Sequence, residues 1–271
     1  KELEASRCPP VNPKVSVIVP TFNQSNFLRE AIDSVLAQTL SEWELIIVDN
    51  FSVDSTSEIV SSFADSRIRY QRFRNHGVIG RSRNFGVSLA RAAFIAFLDS
   101  DDTWAPEKLE SCVGVLKNES ADVVCHSETW QGPNHQSRLV HYGPTNRSTF
   151  KNLVLRGNCL STSATLMSKK KFLDVAGFRE DEQINTAEDY DLWIRLAQAG
   201  ANFTFLRKNL GVWRVHEAGS SRSLIASRVA AYRVFETYVK LVTKNIRFWR
   251  SVRVLKFAGS IVRERLLFMK V

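Results

Sequence analysis

Short apolar runs and amphipathic segments alternate along the first hundred residues. Four runs have the composition of buried strands, and the segments between them carry apolar residues at helical spacing. The predicted strands are Val15–Pro20, Leu45–Val48, Ile68–Tyr70 and Phe94–Leu98. We expect Pro20 to end the first strand and Asn26 to cap the first helix. This βαβαβαβ order predicts a mostly parallel sheet flanked by helices, with its loops gathered at one edge.

The pattern beyond residue 105 is more varied. It predicts a helix at 109–116, a strand at 123–126, an edge strand at 163–168, a short helix and turn at 172–178, and a helix that opens at Glu188. The polar stretch 131–147 is typical of a mobile loop. Residues 224–270 indicate two basic helices, with one apolar face marked by Val229, Tyr232, Phe235, Val239 and Val242.

Composition places the chain among ordinary globular proteins. It has 271 residues, of which 44% are hydrophobic and 24% charged. No apolar run approaches the roughly 20 residues that span a bilayer, and residues 1–13 lack a signal-peptide core, so we expect a cytoplasmic protein. A chain that begins at Lys1 leaves an upstream segment open. Cys8, Cys112, Cys125 and Cys159 lack metal-ligand spacing, which predicts free thiols.

The net charge of +9 is concentrated in the C-terminal tail. Residues 222–271 contain twelve Lys and Arg and two Glu, a net charge of +10, which leaves −1 for the first 221 residues. The sequence therefore predicts one domain over residues 1–221 and a basic helical tail over 222–271.

The candidate chemistry begins where the fourth strand ends. Phe94–Leu98 runs directly into Asp99-Ser100-Asp101-Asp102. Ligands of open α/β sheets bind beyond the carboxyl ends of the strands, and clustered carboxylates are commonly neutralised by a divalent cation that also holds phosphates. The alternative is a solvated acidic turn that caps the next helix. The predicted sheet resembles a dinucleotide-binding fold, but the chain has neither of the glycine-rich phosphate loops G-x-G-x-x-G and G-x-x-x-x-G-K-S/T. A bound diphosphate must therefore be held by a metal and basic side chains.

Five motifs in order carry a family resemblance. They are V-S-V-I-V-P-T-F-N at 15–23, E-L-I-I-V-D-N-F-S-V-D at 44–54, R-N-F-G at 83–86, F-L-D-S-D-D-T-W at 97–104 and A-E-D-Y-D-L-W at 187–193. This set resembles the inverting GT-A glycosyltransferases, the large family two of nucleotide-sugar transferases. The resemblance implies a Rossmann-like GT-A fold, with a nucleotide-binding part at about 14–104 and an acceptor part at about 105–221. It also implies a nucleotide-diphospho-sugar donor, Mn²⁺ or Mg²⁺, and transfer to an acceptor hydroxyl with inversion.

The resemblance also assigns roles to individual residues. It implies that Asp189 is the general base and that Asp101 and Asp102 face the metal. The donor-binding residues that it implies are Pro20, Thr21, Asp49, Asn50, Arg83, Asp99, Arg214 and His216, the last two in a predicted closing loop at 213–216 and 219–221. Arg81, outside the motif match, is either a further clamp for phosphate oxygens or a solvated helix residue. Asn50 stands where the family usually has a second acid, and its amide can donate and accept hydrogen bonds, which keeps a UDP- or dTDP-sugar as the expected donor.

The sequence leaves several alternatives open. The acidic cluster is also compatible with two other functions: a catalytically silent nucleotide-sugar binding protein of the same fold and a metal-dependent phosphohydrolase. The expected acceptor is a glycan or lipid-linked glycan in surface polysaccharide or glycolipid assembly. The basic tail could lie on an anionic membrane, which makes the protein peripheral on the cytoplasmic face, or pack on its own domain or form an oligomer. No motif supports nucleic-acid binding.

Overall fold

The structure is a computed structural model that describes residues 12–132, 136–216 and 224–268. Its strands are β1 (Val15–Thr21), β2 (Trp43–Asp49), β3 (Ile68–Arg72), β4 (Phe94–Phe97), β5 (Thr103–Trp104), β6 (Val123–Gln131), β7 (Ser137–Val140), β8 (Thr165–Ser168) and β9 (Phe203–Arg214). Its helices are α1 (Ser25–Leu36), α2 (Thr56–Ser61), α3 (Ile79–Leu89), α4 (Lys108–Asn118), α5 (Phe150–Arg156), α6 (Lys169–Asp174), α7 (Glu188–Gln198), α8 (Leu224–Val242) and α9 (Ile246–Phe268).

One sheet runs through the molecule in the order β3-β2-β1-β4-β8-β6-β9-β5, and β7 pairs with β6. The four strands β3, β2, β1 and β4 are parallel, as predicted, so the loops after them meet at one edge. The other half is mixed, because β8 is antiparallel to both of its neighbours. This arrangement confirms the predicted GT-A type of fold.

Two hydrophobic layers cover the two faces of the sheet. Helices α1, α2 and α4 pack on one face, and α3, α5, α6, α7 and α8 pack on the other. Successive residues of β1 alternate between the layers: Val17 and Val19 face one, and Ile18 faces the other. Strands β1, β2 and β4 are therefore buried on both sides, which explains their continuous apolar runs, whereas the edge strand β3 is only half-buried.

Several predicted boundaries were wrong for local reasons. Pro20 does not end β1, which continues to Thr21 in its pairing with β2. The pairing of β1 with β4 ends at Ile18, so the backbone N–H that Pro20 lacks is not needed for a hydrogen bond on that side. Asn26 is not the cap of α1, because the helix already begins at Ser25.

Two predictions about the acceptor half were also wrong. The strand within 163–168 is not at an edge: β8 lies between β4 and β6. The stretch 131–147 is not simply a loop, since Ser137–Val140 pairs with the end of β6 in a hairpin. Residues 133–135, at its tip, lie outside the described residues.

The C-terminal helices are partly integrated into the domain. In α8, Val234, Phe235 and Val239 are fully buried in the larger core, whereas Val229, predicted on the same face, is 40% exposed. The predicted boundary at residues 221 and 222 falls in a segment outside the described residues and stays a prediction.

Two further features bear on the predicted properties of the chain. No helix within the three described ranges is long and apolar enough to cross a membrane. Cys112, Cys125 and Cys159 are free, as predicted, and Cys8 lies outside the described residues.

Candidate active site

A cleft of about 410 Å³ opens at the carboxyl edge of the parallel strands. It is bounded by the loops after β1, β2 and β4, by the start of α7 and by the end of β9. Ten of the twelve predicted site residues line it: Pro20, Thr21, Asn50, Arg83, Asp99, Asp101, Asp102, Asp189, Arg214 and His216. The other two, Asp49 and Arg81, do not line it. The structure therefore brings residues from five sequence motifs to one cavity.

The acidic turn after β4 is fixed from two sides. Asp102 is almost fully buried; its carboxylate accepts hydrogen bonds from the Ser163 hydroxyl at 2.6 Å and from the Arg214 backbone N–H at 2.9 Å. Asp101 lies 2.9 Å from His216 Nε2. These acids do not cap the next helix, because α4 begins at Lys108 and its first turn has no side-chain cap. That alternative is wrong, and the turn instead faces the cleft.

The electrostatics of this turn favour a bound cation. Burial, followed by repulsion from Asp99, raises the pKa of Asp101, and burial, followed by repulsion from Asp101, raises the pKa of Asp102. Each carboxylate oxygen keeps a lone pair beyond its existing hydrogen bond. Within the described ranges no group of three or more His, Cys, Asp or Glu side chains is arranged around a metal position. Two carboxylates, water and phosphate oxygens are a sufficient ligand set for Mg²⁺ or Mn²⁺, so these residues fit such an ion.

Arg83 connects three elements beneath the cleft. Its guanidinium on α3 contacts Asp99, after β4, and Glu188, at the start of α7, each at 2.6 Å. Arg83 is only 3% exposed and Glu188 only 4%. The guanidinium is therefore committed to two carboxylates, which positions the acids, and direct phosphate binding by Arg83 stays a prediction.

Asp189, the second residue of α7, lines the same cleft as the acidic turn. Its Oδ1 accepts the Tyr190 N–H at 2.6 Å, and its Oδ2 receives longer hydrogen bonds from Asn158 at 3.4 Å and Thr162 at 3.3 Å. Burial, and then the Glu188 carboxylate, raise the pKa of Asp189 to about 7. A carboxylate with that pKa can accept a proton near neutral pH.

The nucleotide end of the cleft is built from the loops after β1 and β2. Asn50 Oδ1 accepts the Asn75 N–H at 2.9 Å, so its amide NH₂ is the group left for a ligand. Thr21 Oγ1 is buried and has no protein partner within the described structure. Asp49 is buried behind this surface, where it accepts hydrogen bonds from Tyr70 and Ser52. Its observed role is to hold the loop after β2.

Basic residues of the last strand close the cleft. Arg214, at the end of β9, pairs with Glu30 of α1 at 2.6 Å and lies over the Phe27 ring. The His216 ring lies 4.4 Å from the same phenylalanine. Arg81 does not line the cleft; it lies 3.5 Å from Glu180 and donates to the Asn75 carbonyl at 3.4 Å. Residues 219–221, expected in the closing loop, lie outside the described residues.

Strained backbone occurs around the cleft. Phe51, after β2, has φ 61° and Thr186, two residues before α7, has φ 76°. A left-handed conformation is costly for an aromatic or β-branched residue, and such conformations cluster at functional sites. Thr186 lines the cleft itself.

Some residues of the site carried no signal in the sequence. Glu188 lies in the first turn of a helix, where an acid is typical of a partner of the helix dipole, but here it is the buried partner of Arg83. Ser163 accepts the Asp99 N–H and donates to Asp102, and no motif marks it. Ser163 belongs to the predicted strand 163–168, and a central position for that strand would have placed it near the acidic turn. The strand was instead predicted at an edge, which was wrong.

The comparisons with known proteins agree with this geometry. The model of the family described as Glycosyl transferase family 2 matches residues 16–174. The Escherichia coli protein named UDP-Glc:alpha-D-GlcNAc-diphosphoundecaprenol beta-1,3-glucosyltransferase WfgD is 32% identical over 183 residues, which are 67% of this chain and 69% of that protein.

Two solved structures share the fold. S. aureus TarS in complex with UDP-GlcNAc has a TM-score of 0.66 and 24% identity over 82% of this chain and 64% of that one. Mannosyltransferase PcManGT from Pyrobaculum calidifontis, in complex with GDP-Man and Mn²⁺, has a TM-score of 0.65 and 16% identity over 89% of this chain and 68% of that one. The matched regions thus cover about two thirds of each of these three proteins. The family match over residues 16–174, together with the likeness to WfgD, shows that this chain belongs to glycosyl transferase family 2.

Proposed function

We propose that this glycosyltransferase moves a sugar from a UDP- or dTDP-sugar to an acceptor hydroxyl, with inversion and with the help of Mn²⁺ or Mg²⁺. The observation that carries the proposal is the cleft itself, which the acidic turn after β4 and Asp189 of α7 line together. The acidic turn would hold the diphosphate through a bound cation, and Asp189 would accept a proton. Both groups in one cavity suit a displacement in which a diphosphate leaves as a hydroxyl attacks.

Asp101 and Asp102 would hold the cation. The ion would neutralise the charge that develops on the departing diphosphate. Burial and the repulsion between neighbouring carboxylates raise both pKa values, and a bound cation would offset both effects. Arg214, at the end of β9, and His216, two residues further on, also line the cleft and would contact phosphate oxygens of the donor.

Asp189 would take the proton from the acceptor hydroxyl. Its Oδ2 has only long hydrogen bonds from Asn158 and Thr162, so it is free to accept a shorter one from a substrate. Direct in-line attack by an acceptor activated at this face inverts the anomeric carbon, because no protein nucleophile intervenes.

The donor base would lie against Pro20, Thr21 and Asn50. The Asn50 NH₂ can donate to a carbonyl oxygen such as O4 of uracil or thymine. The name of WfgD specifies UDP-Glc and TarS was solved with UDP-GlcNAc, which supports a uridine donor, whereas PcManGT was solved with GDP-Man. A guanosine donor is therefore the competing result in a donor screen.

The acceptor would be a glycan or lipid-linked glycan of surface polysaccharide or glycolipid assembly, since the WfgD name specifies a diphosphoundecaprenol acceptor. The C-terminal helices would then rest on an anionic, cytoplasmic membrane face. They expose Leu241, Phe248, Val254 and Leu255 in a segment rich in Lys and Arg. We expect Phe248→Asp with Leu255→Asp to abolish sedimentation with anionic vesicles, and Leu173→Asp on α6, also exposed, to leave it intact.

The test is a panel of nucleotide sugars, each incubated with the protein, Mn²⁺ and a glycolipid acceptor pool and scored for release of nucleoside diphosphate. We expect acceptor-dependent release from one UDP- or dTDP-sugar, removed by chelation and by Asp102→Asn. Acceptor-independent hydrolysis would favour a phosphohydrolase. Donor binding without release from any sugar would favour a silent binding protein.

A further inference from the structure

One arginine of the C-terminal tail reaches into the domain behind the cleft. Arg253, on α9, donates through one terminal nitrogen to the Val154 carbonyl and to the Tyr190 hydroxyl, each at 2.7 Å. Its guanidinium also lies 5.0 Å from the centroid of the Phe235 ring of α8. A side chain placed among α5, α7 and α8 in this way is a structural element of the domain, unlike an exposed cation of a membrane-facing helix.

The contacts of Arg253 lead to Asp189 by a first route through α7. Tyr190 is buried, and its hydroxyl, which receives the Arg253 hydrogen bond, donates to the Leu153 carbonyl at 2.7 Å. The backbone N–H of the same residue donates to Asp189 Oδ1 at 2.6 Å. Arg253 therefore fixes the residue that holds one oxygen of the proposed base.

A second route passes through the turn after α5. Gly157 has φ +100°, and a Cβ there would lie 3.0 Å from Arg253 Nη1, so the glycine both turns the chain and leaves room for the guanidinium. The next residue, Asn158, donates to Asp189 Oδ2. One oxygen of Asp189 is thus held by a residue that Arg253 contacts, and the other receives a long hydrogen bond from the residue that follows Gly157.

We propose that Arg253 is a positioning residue for Asp189, so that the tail orders the acceptor side of the site; this rests on the proposed function of Asp189 as the base. The hydroxyl of Tyr238 on α8 supports the same helix start, because it donates to Asp191 at 2.8 Å. The donor side, formed at the ends of β1, β2 and β4, lies outside these contacts. Loss of Arg253 must therefore affect turnover more than donor binding.

The test compares Arg253→Met with Arg250→Met, a control on the same helix whose side chain pairs with Glu236 at the surface. A small displacement of a catalytic group costs on the order of 10²-fold in rate, so we expect kcat of Arg253→Met to fall about 10- to 100-fold with the donor KM changed less than about threefold. Arg253→Lys, which keeps the charge, should recover part of the loss. Tyr190→Phe removes the hydroxyl and keeps the ring, and it serves as the second variant if Arg253→Met does not fold.

Amide hydrogen exchange supplies a readout that does not depend on activity. We expect faster exchange of the Tyr190 amide in Arg253→Met, and no change in Arg250→Met. Unchanged exchange, or an active wild type with equal kcat in Arg253→Met and Arg250→Met, would overturn the proposal. A wild type that is inactive on every donor would overturn the proposed function instead, while the exchange result would still decide whether Arg253 orders this turn.

Discussion

Replacing Arg83 by Met tests how strongly the buried charges beneath the cleft depend on one another. The variant leaves Glu188, which is 4% exposed, without the guanidinium that it contacts at 2.6 Å. Its second carboxylate oxygen already has no hydrogen-bond partner among the described residues, so nothing nearby replaces the lost contact. Removing one partner of a buried ion pair costs roughly 3–5 kcal/mol, mainly because an uncompensated charge stays buried.

That loss is large relative to the total stability of a domain, about 5–15 kcal/mol. At roughly 2–4 °C per kcal/mol, the melting temperature should fall by about 6–20 °C. Thermal and urea unfolding of the wild type and Arg83→Met measure this directly. Arg81→Met is the matched control on the same helix, since its 3.5 Å contact with Glu180 is at the surface, and it should cost less than about 1 kcal/mol.

A double variant separates the buried charge from simple packing. Arg83→Met combined with Glu188→Gln carries no unpaired carboxylate at that position, so it should recover more than half of the stability that Arg83→Met loses. A loss below about 1 kcal/mol in Arg83→Met, or no recovery in the double variant, would show that Glu188 does not depend on Arg83 for its charge compensation.

Three further predictions follow from individual environments. Because burial and Glu188 raise the pKa of Asp189 to about 7, and the base must be ionised, kcat/KM should rise with pH up to about 7 and level off above it; a flat profile would argue against Asp189. Gly86→Ala should destabilise the protein by about 1–3 kcal/mol in urea unfolding, because a Cβ there would lie 2.5 Å from Ile18 Cγ2. Burial raises the pKa of Glu128 from 4.5 to about 7, so the folded state loses stability as pH rises across that interval. Glu128→Gln should therefore stabilise the protein at pH 8 and not at pH 4, and thermal unfolding at both pH values checks this.

The sequence predicted the nucleotide half of the site because that half is local. Strands β1, β2 and β4 are short, largely apolar runs, and the polar residues directly after them must reach the same sheet edge when the strands are parallel. Asn50 and Asp101 therefore came together in the structure as the pattern indicated.

The rest depends on contacts between distant residues, which hydrophobic periodicity does not encode. Arg83 and Glu188 are 105 positions apart, and each alone is typical of a solvated helix residue. An apolar run such as that of β8 looks the same at the edge of a sheet and at its centre, so the position of Ser163 beside the acidic turn was missed.

The tail shows the same limit in another form. An amphipathic pattern identifies an apolar face but not what covers it. In α8 that face is covered by the domain, through Phe235 and Val239, and the basic residue Arg253 of α9 is used inside the structure.

The role of Asp189 as the general base is tested most directly by measuring transfer rate and donor affinity together for Asp189→Asn. The substitution keeps the shape of the side chain and removes its ability to accept the proton, so transfer should fall by on the order of 10²–10⁴. Calorimetric affinity for the nucleoside diphosphate with Mn²⁺ should stay within about threefold of the wild type, because Asp189 is not one of the carboxylates proposed to hold the metal and the diphosphate. Transfer close to the wild-type rate, or loss of donor affinity in this variant, would contradict the assignment of Asp189 as the base.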